Sequence, residues 1–214
     1  MKKYKKIIFD MDYTIVIPDW SREDYYFKAI IPVDEQEEFF SKKQSIINNY
    51  TLEHDRYDIS SLSESFRNNG FNLSEEVITG WLEYNGKTIN DTVVDGVTDL
   101  FDYLKENNIS IVVLTNGFSK THLPRLERAG LSQYIDYVIT GERAMKPALK
   151  AFELAMGDTP REDCLVVGDN DKSDILGAIN AGIDYYKVDE EHTIIDLLNM
   201  MRDSNKKANQ LIKQ

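Results

Sequence analysis

The pattern of apolar and polar positions divides this chain into two textures. One is the short unbroken apolar run, the mark of a strand covered on both faces. Such runs end in polar or glycine-bearing residues at Lys6–Asp10, Ile109–Leu114, Tyr137–Thr140, Cys164–Val167 and Tyr185–Val188. Between them apolar residues recur at helical spacing. Val97, Leu100, Phe101 and Leu104 mark a helix over about 95–107, and Ala129-Gly130 closes another whose regular part starts near Leu123, with Pro124 in its first turn. Pro147 is placed at the first position of a helix ended by Gly157, and Ser173/Asp174 open a helix ended by Ala181-Gly182. A last helix over about 192–212 turns Ile194, Ile195, Leu198 and Met201 inward and carries Lys206, Lys207 and Lys213 near its negative end.

The second texture occupies residues 16–90. Pro18 punctuates its start, no strand-like run follows, and apolar residues fall at helical spacing through about four segments. Ser74 before Glu75 and Glu76 is a helix start, Asn68-Asn69-Gly70 a helix stop, and Gly86-Lys87 the return hinge. Strands alternating with helices predict an α/β fold: a three-layer, Rossmann-like parallel sheet formed by residues 1–15 and 91–214, with 16–90 an inserted helical cap. In such sheets ligands sit beyond the carboxyl ends of the strands.

Composition narrows the function. The 214 residues carry a formal net charge of −12, which argues against nucleic-acid binding and requires any phosphate site to find local positive charge. The single cysteine, Cys164, lies in an apolar run and reads as core; it forms no internal disulfide and fits a reducing compartment. The basic start, Lys2 to Lys6, is followed by too short an apolar stretch for a signal peptide, and no run approaches a membrane span. A cytoplasmic protein is expected.

The chemistry begins at the first strand end. Asp10 and Asp12 stand one residue apart, and alternation would point both carboxylates the same way. Like charges held together call for a cation or a shared proton. Thr115 and Asn116 end the second strand, Lys146 follows the third, and Asp169 and Asp174 follow the fourth. Phosphoryl transfer uses such a set: a carboxylate nucleophile, a second acid, oxygen ligands for magnesium, and hydroxyl, amide and ammonium donors for the phosphoryl oxygens. His54, His122 and His192 have no ligand spacing, which argues against zinc.

Asp10-Met11-Asp12-Tyr13-Thr14, Leu114-Thr115-Asn116-Gly117, Lys146-Pro147 and Gly168-Asp169 with Asp174 resemble, in order, the four motifs of the haloacid dehalogenase superfamily. The stretches Thr115-Asn116-Gly117-Phe118, Arg125 to Leu131, Asp174 to Ala178 and Asn180-Ala181-Gly182 are most similar to its pyrimidine 5′-nucleotidase branch. The resemblance implies Mg²⁺-dependent hydrolysis of a small phosphomonoester, with a nucleoside 5′-monophosphate as a candidate. Asp10 would be the nucleophile and a metal ligand, and Asp12 the general acid/base, lending its carbonyl to the metal. Thr115, Asn116 and the backbone there, with Lys146, would bind phosphate. Asp169 would ligate Mg²⁺, and Asp174 would support it.

Tyr13 stands where the family commonly has Gly, and reaches positive φ less readily, so the loop geometry there is an open point. Asn170 replaces a frequent Ser or Thr. Tyr25, Tyr26, Arg56, Tyr57, Trp81 and Tyr84 are candidates to touch substrate, against the simpler reading of each as cap core or surface. A phosphosugar mutase shares the first half-reaction and is the main alternative. A non-catalytic phosphate-binding or signalling protein is a weaker one. A dehalogenase lacks an acid at the position of Asp12. Oligomeric state leaves no trace in the sequence.

Overall fold

The computed structural model describes residues 3–211, with side-chain surroundings as far as residue 204. In chain order its elements are β1 (Lys6–Phe9), β2 (Val16–Asp19), α1 (Tyr25–Ile30), α2 (Val33–Glu53), α3 (Ile59–Asn68), α4 (Glu75–Thr88), β3 (Asn90–Val93), α5 (Val97–Glu106), β4 (Ser110–Leu114), α6 (Ser119–Arg128), β5 (Tyr137–Ile139), α7 (Leu149–Met156), β6 (Cys164–Gly168), α8 (Leu176–Ala181), β7 (Asp184–Lys187) and α9 (Ile194–Leu211). Five strands form one parallel sheet in the order β5-β4-β1-β6-β7, with β1 central: Ile8 pairs with Val112 on one side and Val166 on the other. The predicted α/β core is present, and Cys164 is fully buried within it.

Alternation along the strands separates two cores. Ile7, Phe9, Ile111, Val113, Leu165 and Val167 pack with residues of α5 and α9, while Ile8, Val112, Leu114 and Val166 pack with residues of α7 and α8. That is the three-layer arrangement expected of strands apolar on both faces. A third core, built on Phe27, Phe39, Phe66, Ile78 and Leu82, belongs to α1–α4 and takes in Phe118 from beside β4.

Several local expectations are corrected. Val16–Asp19, read as the punctuated start of the insertion, and Asn90–Val93, to which the pattern assigns no element, form an antiparallel pair, Val16 opposite Val93 and Asp19 opposite Asn90. Four-residue strands, one containing Pro18 and the other mostly polar, give no periodic signal; their pairing across a long insertion creates them. Gly86-Lys87 lies in the last turn of α4, so the return runs through β3. Helix α6 begins at Ser119, because Glu142 caps it from a distant loop, accepting from Ser119 N (2.7 Å) and Ser119 Oγ (3.0 Å). Pro124 therefore sits inside the helix, and Lys120 O loses the N–H it would receive from position 124. Gly86 of α4 packs on that carbonyl, where a Cβ would stand 2.3 Å from the oxygen.

Helix α7 starts at Leu149, past the cis Lys146–Pro147 bond, so Pro147 is not its first residue. The Lys146 backbone is held elsewhere: its N–H donates to Asn116 Oδ1 (2.7 Å) and its carbonyl accepts from Asn116 Nδ2 (2.8 Å). Asn170, rather than Ser173 or Asp174, caps the next helical segment, which opens with a wide π turn over Asp171–Ile175 before α8. On α9, Leu197 is buried with Ile194, Leu198 and Met201, whereas Ile195 is 45% exposed. The side chains of Lys206, Lys207 and Lys213 lie outside the described residues.

Candidate active site

The buried strand β1 ends at Phe9 and delivers Asp10 to the sheet's carboxyl edge, where Asp10 N donates to Val167 O of β6 (2.9 Å). Asp10 meets a cation immediately. Lys146 Nζ donates to Asp10 Oδ1 and to Asp174 Oδ1, both at 2.6 Å, and all but a few per cent of the Lys146 side chain is buried. The other oxygen of Asp174 accepts from Asn170 N (3.0 Å). Gly168 permits this: a Cβ there would stand 2.5 Å from the Asp174 carboxyl carbon. Asp169 completes the group and accepts from Thr14 Oγ1 (3.1 Å). Oxygens of Asp10, Asp169 and Asp174 lie within 4.8 Å of one another.

Asp12 has a different partner. Arg125, on α6, donates to Asp12 Oδ1 (2.5 Å) and forks onto Asp91 of β3, with Nε to Oδ2 at 2.9 Å and Nη2 to Oδ1 at 2.6 Å. The guanidinium is fully buried and lies 5.1 Å from the Trp20 ring centre. The two acids at the strand end thus have separate cations, Lys146 for Asp10 and Arg125 for Asp12. His122 fills the space between the phosphate-binding candidates and this network: its Nδ1 is 2.9 Å from Thr115 Oγ1 and its Nε2 4.0 Å from Asp12 Oδ2.

Burial dominates the electrostatics. It pushes the Asp10 carboxyl up to about 7, against the pull of Lys146 and with the repulsion of Asp174. It also raises Asp169. Burial works against the Lys146 charge, but Asp10 and Asp174 outweigh it and the ammonium titrates above its usual range. The His122 imidazole is lowered to about 4 by burial, only partly relieved by Asp12, so it is neutral near pH 7.

Asp10, Asp12, Thr115, Asn116, Lys146 and Asp169 line one cavity of about 310 Å³, with Tyr13 and Trp20 at its wall. Asp174 is buried beneath it. The Asn116 side chain is committed to the Lys146 backbone and so fixes the lysine loop. Tyr13 does adopt left-handed backbone, φ 62°, with its side chain 53% exposed and its N–H bonded to Val16 O (2.7 Å). The turn from Met11 to Val16 therefore forms without glycine. Of the candidate aromatics in the insertion, Tyr57 and Trp81 line a second cavity, of about 350 Å³, which shares Trp20, Asn116 and His122 with the first.

The sequence assigns no site role to Arg125, Asp91, Trp20 or Thr14, and offers His122 only as a metal ligand to be discounted. A signal for Arg125 and His122 exists. Thr121, His122, Arg125 and Leu126 share one face of α6, so an arginine and a histidine occupy positions that the apolar Leu126 marks as inward.

Hard oxygen donors, a nearby ammonium and a hydroxyl around one cavity at a parallel sheet's carboxyl edge suit an anionic, phosphate-sized ligand. A family model for haloacid dehalogenase-like hydrolases matches residues 4–182. The chain belongs to this family. Among relatives of this HAD-like hydrolase, it is 34% identical over 142 residues to the pyrimidine 5′-nucleotidase YjjG of Escherichia coli K12, covering 64% of this chain and 59% of that one. It is 31% identical over 109 residues to the pyrimidine 5′-nucleotidase PynA of Streptococcus pneumoniae, covering 49% and 44%. The chain thus spans roughly half the length of these curated relatives. The fold is shared with the magnesium-bound HAD hydrolase YfnB of Bacillus subtilis (TM-score 0.59, 22% identity, 86% and 88% coverage). No helix among the described residues is long and apolar enough to cross a membrane.

Proposed function

We propose that this HAD-like hydrolase is a Mg²⁺-dependent phosphomonoesterase acting on a small metabolite, with a nucleoside 5′-monophosphate as the leading substrate. The observation that carries this reading is the Lys146 ammonium held between Asp10 and Asp174 beside Asp169, at one cavity's base. Asp10 is the nucleophile. Its carboxylate attacks phosphorus, the ester oxygen leaves with the substrate's alcohol, and the resulting aspartyl-phosphate is hydrolysed by water. Asp12 donates the proton to the leaving oxygen and later takes one from the attacking water. Lys146 and Thr115 hold phosphoryl oxygens.

The donor set fits a magnesium ion. Asp10, Asp169 and Asp174 offer hard oxygens, and the five carboxylates of Asp10, Asp12, Asp91, Asp169 and Asp174 face only two buried cations, Lys146 and Arg125. Asp10 and Asp169 have the freer oxygens, and Asp174 backs them through Lys146 and Asn170. A magnesium ion held by Asp10 and Asp169 would supply charge neutralisation between carboxylate and phosphate.

Residues 16–90 serve as a cap over a core of 1–15 and 91–214, with β2 and β3 as its two connections. The nucleotide reading is supported by the two nucleotidase relatives. A single buried cysteine fits a cytoplasmic setting. The test is phosphate release from p-nitrophenyl phosphate and a panel of nucleotides and sugar phosphates, with Mg²⁺ and with EDTA. Release requires Mg²⁺ and falls at least 10³-fold in Asp10→Asn, the order of loss seen when a group acting in the transition state is removed. Full activity in that variant, or in EDTA, overturns the reading.

A further inference from the structure

Among the described residues, two buried side-chain polar atoms have no hydrogen-bond partner: Trp81 Nε1 and Asn85 Oδ1. An orphaned buried donor or acceptor is costly, and native proteins keep few. These two do not fall at random. Both residues stand on α4 at i and i+4, hence on one face, and both line the 350 Å³ cavity that adjoins the candidate phosphate site. Trp81 is 6% and Asn85 2% exposed, and the two orphaned atoms themselves are closed to water, so a ligand reaches them only as the side chains shift.

The rest of that cavity is suited to a flat apolar body. Tyr57 stacks on Phe118 with ring centres 4.7 Å apart at 11°, and Tyr50 stacks behind Tyr57 at 5.9 Å and 16°. All three line the cavity with Trp20. Aromatic walls with a few polar groups are how planar ligands are held and oriented. Glu23, Gln44 and Thr121 also line the cavity and could serve a sugar's hydroxyls, but the stacked rings suit a planar heterocycle. If the heterocycle carries an acceptor and an N–H along one edge, it also supplies what the indole N–H and the amide oxygen lack.

We infer that this second cavity receives the base of a nucleoside 5′-monophosphate, and that Trp81 and Asn85 determine specificity by reading an acceptor and a donor on its edge. The inference rests on the phosphatase reading above for the place of the phosphate. The shared lining of Trp20, Asn116 and His122 joins the two cavities, so one molecule reaches both. The orphaned pair is then a site whose partners arrive with the substrate, and an analogue without that edge leaves both groups unpaired.

The test is calorimetric binding to the full chain carrying Asp10→Asn, with CMP, UMP, AMP, GMP and ribose 5-phosphate. At least one nucleotide binds tenfold or more tightly than ribose 5-phosphate. Adding Trp81→Phe, which keeps a ring but loses the N–H, or Asn85→Leu, which keeps the bulk but loses the amide, weakens that nucleotide by about tenfold. Ribose 5-phosphate changes less than twofold. The inference is overturned if ribose 5-phosphate binds as tightly as every nucleotide. It is overturned equally if either variant weakens both ligand types alike, the result if Trp81 and Asn85 only shape the pocket or satisfy each other. Thermal melts confirm folding, and Trp81→Phe decides the matter alone should Asn85→Leu not fold. Wild-type release of phosphate from p-nitrophenyl phosphate is followed in parallel. Selective nucleotide binding without any release sinks the phosphatase reading only; release without selectivity sinks only this inference.

Discussion

Arg125 is a fully buried cation that holds two carboxylates. It joins Asp12, within the first motif, to Asp91, on the strand that returns from the insertion. Replacing it with Met leaves two carboxylates facing each other in a nearly dry setting, Asp91 being 3% exposed at its side chain. Breaking a buried pair by removing one partner typically costs about 3–5 kcal/mol. Arg125→Met is therefore expected to lower stability by about that amount in urea titrations, and Arg125→Met with Asp91→Asn to recover part of it. His122 makes a pH prediction. Its folded value of about 4 lies below the ordinary 6.5. The unfolded chain thus takes up a proton between these values that the folded one refuses. The contribution is whole above pH 6.5 and is lost as pH falls toward 4, by on the order of 2 kcal/mol at pH 5. Denaturation of wild type and His122→Asn at pH 7 and pH 5 measures it, the wild type losing more. A loss equal in both proteins would contradict the assignment. The chain alone marks both residues as inward-facing but not what they do, because a lone Arg or His on a helix acquires its role only from what the opposite wall presents.

At the scale of elements, the contact between α4 and α6 ties the insertion to the core. Gly86 lets α4 approach the Lys120 carbonyl that Pro124 leaves unbonded. Arg128 of α6 binds the end of α4, donating to Gly86 O and to Ile89 O (2.6 Å). A methyl group at 86 cannot be accommodated at 2.3 Å without separating the helices. Gly86→Ala is expected to cost about 1–3 kcal/mol, despite Ala's better helix propensity, as a lowered melting temperature. A rise in melting temperature would show that the helices are not in this contact. The sequence marks α4 correctly through Ser74, which accepts from Val77 N, and Gly70, which ends the preceding turn at φ 93°. It misplaces the start of α6, since the cap that begins it, Glu142, is supplied by another loop.

Over the whole molecule, a chain with net charge −12 concentrates carboxylates at one sheet edge. A cation that binds only the folded state stabilises it by mass action, by about 2.7 kcal/mol at a hundred times its dissociation constant. Added Mg²⁺ should raise the melting temperature of the wild type, EDTA should reverse this, and Asp169→Asn should abolish most of the shift. An undiminished shift in Asp169→Asn would place the ion elsewhere.

What the sequence determined by itself was the class of fold and a set of polar residues that the structure gathers around one cavity. Each rests on local information: consecutive apolar residues make strands buried on both faces, and Asp10, Thr115 and Asp169 stand next to strand ends that topology gathers on one edge, with Lys146 in the loop beyond β5. The tertiary structure alone decided everything that depends on two distant segments meeting. That includes the β2–β3 pair, the Asn116 clamp on Lys146, the Arg125 link from Asp12 to Asp91, and the aromatic cavity between α4 and the start of α6. Periodicity records which side of an element faces inward. It carries no record of which residue will stand opposite, and in a low-dielectric interior it is the opposite residue that decides whether a charge is paired, a helix is capped or a polar atom waits for its ligand.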